Sequence, residues 1–453
     1  MASAQSFDIE PIARFNGASA GIRRPKEITC FSFDDQHKYR WDDSSLRYYH
    51  PPTLPADLNR GFDTFRALDN TRDDHLDGLV DTIALHEKEK GAKVDADIIT
   101  WRGMMTKIMA TPFSKLESWE MNATCFQGSI FIEENHATKL FSKQQQNQQK
   151  MPAGTPSQDI MGFWGYKFET LSLIPDTWDP TSREYIESRE DEIVDNHAQY
   201  CSIVRTGFGK IKMILGGEVD AVWDVKPTHP SSTAINYIEL KTAAKIHTDR
   251  DQVKFERKLL KFWAQSFLLG VPKIIVGFRT KDGILTDLEE METQAIPEMV
   301  KRGKGLWDGN TCINFAAAFL EWLKTIITEE GVWRIRKVEK SSRLDVFKIE
   351  ESGHGDILSR NFMDWRSSGG MRMTSIVSTR WKPYGDKPAV GGISTVSKCL
   401  PESASRALGF GKPSSPAERW AFTHLPYSSV KEVYLRRTGT NKARSPSGQA
   451  QAQ

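Results

Sequence analysis

The chain has 453 residues, of which 39% are hydrophobic and 26% charged, as in ordinary folded globular proteins. Its formal net charge of +2 excludes a uniformly basic nucleic-acid-binding protein, so any contact with a nucleic acid must come from a local basic patch. The five cysteines are scattered and form no CxxC pair, which argues against a zinc site and a disulfide framework and favours a reducing compartment. Because no apolar run reaches membrane-spanning length and no leader-like segment opens the sequence, we expect an intracellular protein that does not contact a membrane.

The first half of the sequence predicts two helices between irregular segments. Residues 1–23 are expected to form an irregular lead-in to the folded domain. Apolar residues at helical spacing predict helices over 75–96 and 97–113. The Gln-rich stretch 142–159 predicts a flexible surface insertion.

The second half alternates helices with strand-like runs. Runs rich in Ile, Val and Tyr predict strands at 200–205, 212–224, 237–242 and 273–279. Helical spacing predicts helices at 160–174, 251–269 and 311–328. Ser, Pro and basic residues dominate 401–453, a C-terminal tail whose end should be disordered. Since strands and helices alternate irregularly, we predict an α+β fold, with a mixed β-sheet core flanked by helices, in a single domain over 24–400.

Two acidic residues stand in what otherwise reads as a buried strand. Glu218 and Asp220 lie two residues apart in KMILGGEVDAVWD, so on a strand they point to the same face. Burying two like charges side by side is unfavourable unless a positive charge offsets them. The pattern therefore predicts a metal ion at these carboxylates.

The next strand-like run, YIELKT, carries a second pair. Glu239 and Lys241 share one face, while Ile238 and Leu240 point the other way into packing. A carboxylate beside an ammonium group suits a metal ligand next to a cation that holds a phosphate or a water. Either pair alone is more often an exposed, solvated face. An acidic strand, a turn and an ExK strand in sequence resemble the core of PD-(D/E)xK nucleases.

Three further residues allow two interpretations each. Glu169, in a helix rich in aromatic residues, either pairs with Lys167 or a distant arginine or supplies another metal carboxylate. Arg102 either binds a phosphate through two N–H donors of its guanidinium or forms a buried ion pair. Gln265, in an apolar helix, is more often a core amide with satisfied hydrogen bonds than a catalytic group.

Five segments together resemble the DXO-type decapping nuclease family. In the order and spacing of that family, they are WRGMMTKIMATPF, GYKFE, GGEVDAVWD, YIELKT and KLLKFWAQSFLLGVP. The resemblance covers about 24–330 and is closest to the fungal nuclear branch, whose members partner a 5′→3′ exoribonuclease. The stretch beyond about residue 340 carries no motif that resembles the family.

The resemblance implies a role for each matching residue in a PD-(D/E)xK nuclease-like fold with two divalent ions, Mg²⁺ or Mn²⁺. The metal ligands would be the carboxylates of Glu169, Glu218, Asp220 and Glu239 and the carbonyl of Leu240. Lys241 and Gln265 would be catalytic and would hold the scissile phosphate and the nucleophile. The residues lining the tunnel that binds RNA would be Trp101, Arg102, Gly103 and Cys201.

The resemblance also implies a function in the nucleus. The protein would hydrolyse incomplete RNA 5′ ends, namely a triphosphate, an unmethylated cap or an NAD cap, in RNA quality control, and would bind and stabilise the exoribonuclease. Two alternatives stay open: a PD-(D/E)xK DNA endonuclease, which would cleave end-blocked DNA, and a non-catalytic RNA-binding subunit of an exoribonuclease. The intact acidic pairs argue against complete loss of activity.

Overall fold

Two β-sheets with helices packed against them form the part of the chain that the computed structural model describes, residues 4–148, 154–227 and 235–368. These residues all belong to one compact unit. Within these ranges every helix is too short or too polar to span a bilayer.

The larger sheet has ten strands within the described residues. In spatial order they are β1 (Gln5–Asp8), β17 (Arg343–Glu350), β16 (Val332–Lys337), β7 (Trp119–Phe126), β8 (Ser129–Glu134), β6 (Ile98–Trp101), β11 (Ile211–Glu218), β10 (Gln199–Phe208), β2 (Ile22–Phe33) and β3 (Tyr39–Arg40). Most neighbours are antiparallel, but β6 runs parallel to both β8 and β11. The sheet is therefore mixed.

The smaller sheet has seven described strands. In spatial order they are β5 (Ala56–Asp57), β15 (Ile284–Glu292), β14 (Lys273–Arg279), β13 (Tyr237–Ala244), β12 (Ala221–Val222), β4 (Tyr48–Tyr49) and β9 (Leu173–Ile174). The chain leaves β11 in the larger sheet and enters β12 in the smaller one across Val219 and Asp220. The acidic segment therefore lies where the two sheets meet.

Nine α-helices surround the sheets in the described ranges. They are α1 (Asp77–Lys90), α2 (Arg102–Ala110), α3 (His136–Gln148), α4 (Gln158–Ser172), α5 (Arg183–Ser188), α6 (Asp249–Leu269), α7 (Ile296–Arg302), α8 (Gly309–Ile326) and α9 (Arg360–Ser367). The longest, α6, begins with a capping box between Thr248 and Asp251 and ends at Gly270, whose φ of 74° suits a glycine.

Three apolar clusters hold these layers together. The largest packs α2, α6 and α8 against the larger sheet and includes Met105, Trp263 and Phe319. A second cluster lies under α1 and α9. The third packs α4 against the smaller sheet through Phe168 and Leu240. Helices α2, α4 and α6, which carry candidate site residues, are thus each anchored by buried apolar side chains.

The predicted mixed sheet with flanking helices is confirmed, but two predicted elements were wrong in type. The segment 97–113 begins as strand β6 and becomes helical only at Arg102, because Ile98, Ile99 and Thr100 are β-branched and pair with two neighbouring strands. The lead-in 1–23 is not irregular throughout. Its residues 5–8 form the sheet edge β1, and Phe7 packs against the rings of α8.

Two other segments are more ordered than predicted. Helix α3 extends through Gln148 and α4 begins at Gln158, so much of the described part of 142–159 is helical, as its Gln and Lys residues permit. Beyond residue 340, β17 and α9 belong to the fold, and Arg366 forms a buried ion pair with Glu87. The predicted continuation of the domain from 369 to 400 and the tail 401–453 lie outside the described residues.

Candidate active site

The two strand acids lie at the junction of the sheets. Glu218 ends β11 and stands opposite Cys201 of β10 in the antiparallel register. Val219 is buried, and the backbone N–H of Leu240 donates a 2.6 Å hydrogen bond to Oδ2 of Asp220. This bond ties the acidic segment to β13, which carries Glu239 and Lys241.

Glu239 is the most deeply buried of the acids and sits between two cations. Its Oε2 lies 2.7 Å from Nη1 of Arg102 and its Oε1 lies 2.7 Å from Nζ of Lys241, while its side chain is only 1% exposed. Burial works to raise the pKa of Glu239, but the two cations outweigh burial and hold it below its ordinary value. Glu239 is therefore ionised in the metal-free protein.

Glu169 reaches the same place from α4. Burial, followed by the negative charges of Asp220 and Glu218, raises the pKa of Glu169 well above its ordinary value. Lys167 does not pair with it, because the Lys167 ammonium is buried and donates to the carbonyl of Glu190 at 2.7 Å. The interpretation of Glu169 as half of an ion pair with Lys167 is wrong, and Glu169 faces the other carboxylates.

Like charges dominate the site. Burial and then Glu239 raise the pKa of Asp220 to about 7, and the displacement of water by surrounding protein raises the pKa of Glu218, whose side chain still reaches solvent. A carboxyl whose pKa is higher in the folded than in the unfolded state costs stability as the pH rises from its unfolded value of about 4 towards 7. Within the described part of the chain, four ionised carboxylates would face the two cations Arg102 and Lys241, so the site favours additional positive charge.

The donor chemistry fits hard divalent ions. Carboxylate oxygens are the ligands that Mg²⁺ and Mn²⁺ prefer, and the buried Oε1 of Glu239 accepts no hydrogen bond of good geometry despite the nearby Lys241. Among the described residues, no three potential ligands already stand in a coordination arrangement. The physical reason is that Glu239 turns towards its two cations and Asp220 towards the N–H of Leu240. Whether the carbonyl of Leu240 is a ligand stays a prediction.

Residues predicted to contact substrate surround these acids. Trp101 packs over Gly216, where a Cβ would come within 2.9 Å of the indole ring. At Gly103, a Cβ would meet no atom within 4 Å, so the start of α2 adjoins open space. Cys201 is buried, and burial followed by the charge of Glu218 raises the pKa of its thiol well above the ordinary value. These positions suit the walls of a pocket, and their contacts with substrate stay predictions.

For Gln265 and Arg102, the structure bears on the two interpretations that the sequence left open. Gln265 is half-buried on α6, and its amide bonds no residue that the structure describes, so it is not a satisfied core amide. One turn later, Leu269 packs over Gly217, next to Glu218. Arg102 forms the buried ion pair with Glu239 that was one of its two interpretations. A role for Arg102 towards phosphate stays a prediction.

Tyr166 is a neighbour of the site that the sequence analysis did not single out. It lies three residues before Glu169 on α4, so the two side chains share one side of the helix. Burial raises the pKa of its hydroxyl, Asn196 works to lower it, and the charges of Glu169 and Glu218 add to the rise. The helical spacing from Glu169 was the signal that could have identified it.

Replacing Arg102 should reveal how strongly it neutralises Glu239. We expect Arg102→Met to lower the free energy of unfolding by about 1.5–3 kcal/mol, because it leaves a buried carboxylate with one cation fewer. Adding Glu239→Gln should recover part of that loss. Denaturant unfolding in the presence of a metal chelator measures both. If Arg102→Met unfolds like the wild type and only loses affinity for RNA, the ion pair is not what Arg102 contributes.

Comparisons with known proteins agree with this site. The model of the RAI1-like PD-(D/E)XK nuclease family matches residues 23–363. The decapping nuclease RAI1 of Aspergillus fumigatus is 64% identical over 363 residues, which make up 80% of this chain and 98% of that protein. The decapping nuclease RAI1 of Emericella nidulans is 62% identical over 365 residues, or 80% of this chain and 99% of that protein.

Solved structures agree as well. Candida albicans Rai1 in complex with pU5-Mn²⁺ has a TM-score of 0.74 and 29% identity, covering 81% of this chain and 99% of that one. Scheffersomyces stipitis Rai1 in complex with (3′-NADP)⁺ and calcium has a TM-score of 0.72 and 29% identity, covering 80% and 100%. By its sequence as well as its architecture, this chain belongs to the RAI1-like PD-(D/E)XK nuclease family and is a hydrolytic enzyme.

Proposed function

We propose that the protein uses two divalent ions, Mg²⁺ or Mn²⁺, to hydrolyse incomplete 5′ ends of RNA, namely triphosphate, unmethylated-cap and NAD-cap ends. The observation that carries the proposal is the meeting of Glu169, Glu218, Asp220 and Glu239 with Lys241 at the junction of the two sheets. Relatives named decapping nucleases, and relatives solved with an RNA oligonucleotide and Mn²⁺ or with a dinucleotide and calcium, support it.

The chain's own residues supply positioning and fixed charge. Divalent ions held by the carboxylates would activate water and neutralise charge at the attacked phosphate. Burial works to lower the pKa of Lys241, but Glu239 and Asp220 raise it above its ordinary value, so Lys241 stays protonated. It places a permanent positive charge beside the phosphate. No residue in the described ranges bonds the amide of Gln265, so this amide is available to orient the nucleophile.

The residues that enclose the acids favour a substrate that enters the site by its 5′ end. Trp101 and Cys201 flank the acids, and α6 closes over the end of β11 where Leu269 packs on Gly217. A single strand would thread into such a pocket end first, whereas a duplex DNA substrate would need an open groove. This supports an RNA 5′-end hydrolase over the DNA endonuclease alternative. The family resemblance implies that cleavage falls after the first transcribed phosphate.

Linear and circular RNA of the same sequence test the proposal. We expect linear 5′-triphosphate RNA incubated with Mn²⁺ to be hydrolysed and the circular RNA to resist, because the circle has no end to enter the pocket. Gel analysis of both RNAs side by side gives the result, with end-blocked DNA as a third substrate. Equal degradation of both RNAs, or cleavage of the blocked DNA, would favour an open endonuclease groove.

We further propose that the protein acts in the nucleus and binds and stabilises a 5′→3′ exoribonuclease through a surface away from the carboxylates. The proposal rests on the resemblance to the fungal nuclear branch. A hydrolase that exposes a 5′-monophosphate would leave the end on which such an exoribonuclease acts.

The partnership should be independent of hydrolysis. We expect the double variant Glu218→Gln/Asp220→Asn to bind the exoribonuclease of the same organism as tightly as the wild type and to slow its thermal inactivation equally. Mixing the purified proteins and measuring affinity and residual exoribonuclease activity provides the test. No complex with either form would remove the partnership and the nuclear assignment while leaving the hydrolase proposal intact.

A further inference from the structure

Partly exposed aromatic rings lie beside the carboxylates and have no part in the chemistry described above. Tyr166 is 36% exposed, Phe62 is 37% exposed, and Phe65 is half-buried. Large apolar rings at a surface are unusual enough to call for a partner when several adjoin one another. We refer to Tyr166, Phe65 and Phe62 as the aromatic strip.

The strip is one continuous set of ring contacts. The ring centroids of Phe65 and Tyr166 are 5.5 Å apart at an interplanar angle of 31°. Phe65 and Phe62 each contact the buried ring of Phe163 at 5.3 Å, in edge-on geometry. Because Phe163 is anchored in the cluster under α4, the strip rests on a fixed base.

One end of the strip adjoins the catalytic carboxylates. Tyr166 and Glu169 are three residues apart on α4 and therefore share one side of the helix. The upward shift in the pKa of Tyr166, which burial dominates, also includes contributions from the charges of Glu169 and Glu218. From Tyr166 the ring contacts lead to Phe65 and then, through the buried ring of Phe163, to Phe62.

The strip is held in place before any ligand binds. Asn196 lies beside the hydroxyl of Tyr166, and its own side chain is fixed because its Oδ1 accepts a 2.6 Å hydrogen bond from the N–H of Leu68. The backbone N–H of Arg66 donates to the carbonyl of Val194. This bond joins the segment that carries Phe62 and Phe65 to the segment that carries Asn196. Little ordering of side chains is thus required when a ligand arrives.

We propose that the aromatic strip is a base-stacking subsite, which holds unpaired nucleobases of the RNA whose end lies at the carboxylates. This inference rests on the proposed function, because it takes the ligand to be single-stranded RNA. Aromatic rings stack on every base, so the strip would add affinity without preference for sequence. Its position beside Glu169 means that stacking would also fix where the 5′-terminal phosphates lie relative to the metal ligands.

The test combines ring removal with base removal. Linear 5′-triphosphate RNAs, either intact or with one abasic nucleotide placed successively from the 5′ end, are given to the wild type, Tyr166→Ala and Phe62→Ala. We expect Tyr166→Ala to raise KM about ten- to a hundredfold with kcat changed much less. Tyr166→Phe should restore most of the affinity, because it keeps the ring.

The abasic RNAs locate the stacked base. One abasic position should raise KM for the wild type and have little further effect on Tyr166→Ala, because the stacking partner is already missing. Phe141→Ala is the matched control, since Phe141 is 61% exposed on α3 and lies outside the strip. Should Tyr166→Ala fail to fold, Tyr166→Leu removes the ring while keeping apolar volume.

Two results would overturn the inference. One is an unchanged KM for the folded ring-deletion variants. The other is an abasic nucleotide that raises KM by the same factor in Tyr166→Ala as in the wild type, because base and ring would then act independently. A wild type that hydrolyses no RNA, yet binds it with the same coupling to Tyr166 in direct affinity measurements, would refute the proposed hydrolysis and leave the subsite standing. Hydrolysis of RNA without coupling between Tyr166 and a base would refute the subsite and leave the proposed hydrolysis standing. If the strip served a protein partner instead, its loss would weaken the exoribonuclease complex and leave RNA affinity unchanged.

Discussion

Repulsion among four carboxylates at the junction of the two sheets is the constraint on which the rest of the site depends. Glu169, Glu218 and Asp220 have raised pKa values, first because the protein around them displaces water and then, for Glu169 and Asp220, because acids surround them. Only Glu239 escapes, since Arg102 and Lys241 lie 2.7 Å from its oxygens. The fold therefore carries an electrostatic cost in the absence of metal, and cations that bind there relieve it.

The scaffold tolerates this cost because each carboxylate stands on a well-packed element. Asp220 is tied to β13 by the N–H of Leu240, and Glu169 is fixed by α4 over its apolar cluster. At one position beside the site, close packing also requires a glycine, which has no side chain. At Gly217 a Cβ would lie 2.7 Å from Leu269 and 3.0 Å from Arg102, so a larger residue there would displace either the helix α6 or the cation that neutralises Glu239.

The sequence predicted those parts of the site that follow from local periodicity. Glu218 with Asp220 and Glu239 with Lys241 could be paired because side chains two apart on a strand share a face. The ion pair of Arg102 with Glu239 spans 137 residues and depends on tertiary packing, so chemistry alone left it as one of two interpretations. The same holds for β1, which has no distinctive local pattern and exists because the distant strand β17 pairs with it. The β-branched residues of β6 were a local signal, but that strand is only four residues long and runs directly into helix α2. The motif resemblance, rather than residue chemistry, singled out Glu169 and Gln265.

The most direct measurement of this account compares the wild type with Glu218→Gln/Asp220→Asn, both for hydrolysis of 5′-triphosphate RNA and for thermal unfolding with chelator or Mn²⁺. The account predicts that the double variant loses hydrolysis, since each ~1.4 kcal/mol of lost transition-state stabilisation costs about tenfold in rate. It also predicts that the metal-free variant is at least as stable as the wild type, and that Mn²⁺ stabilises the wild type far more than the variant. A folded double variant that retains more than a small fraction of the activity, or that Mn²⁺ stabilises as much as the wild type, would contradict the account.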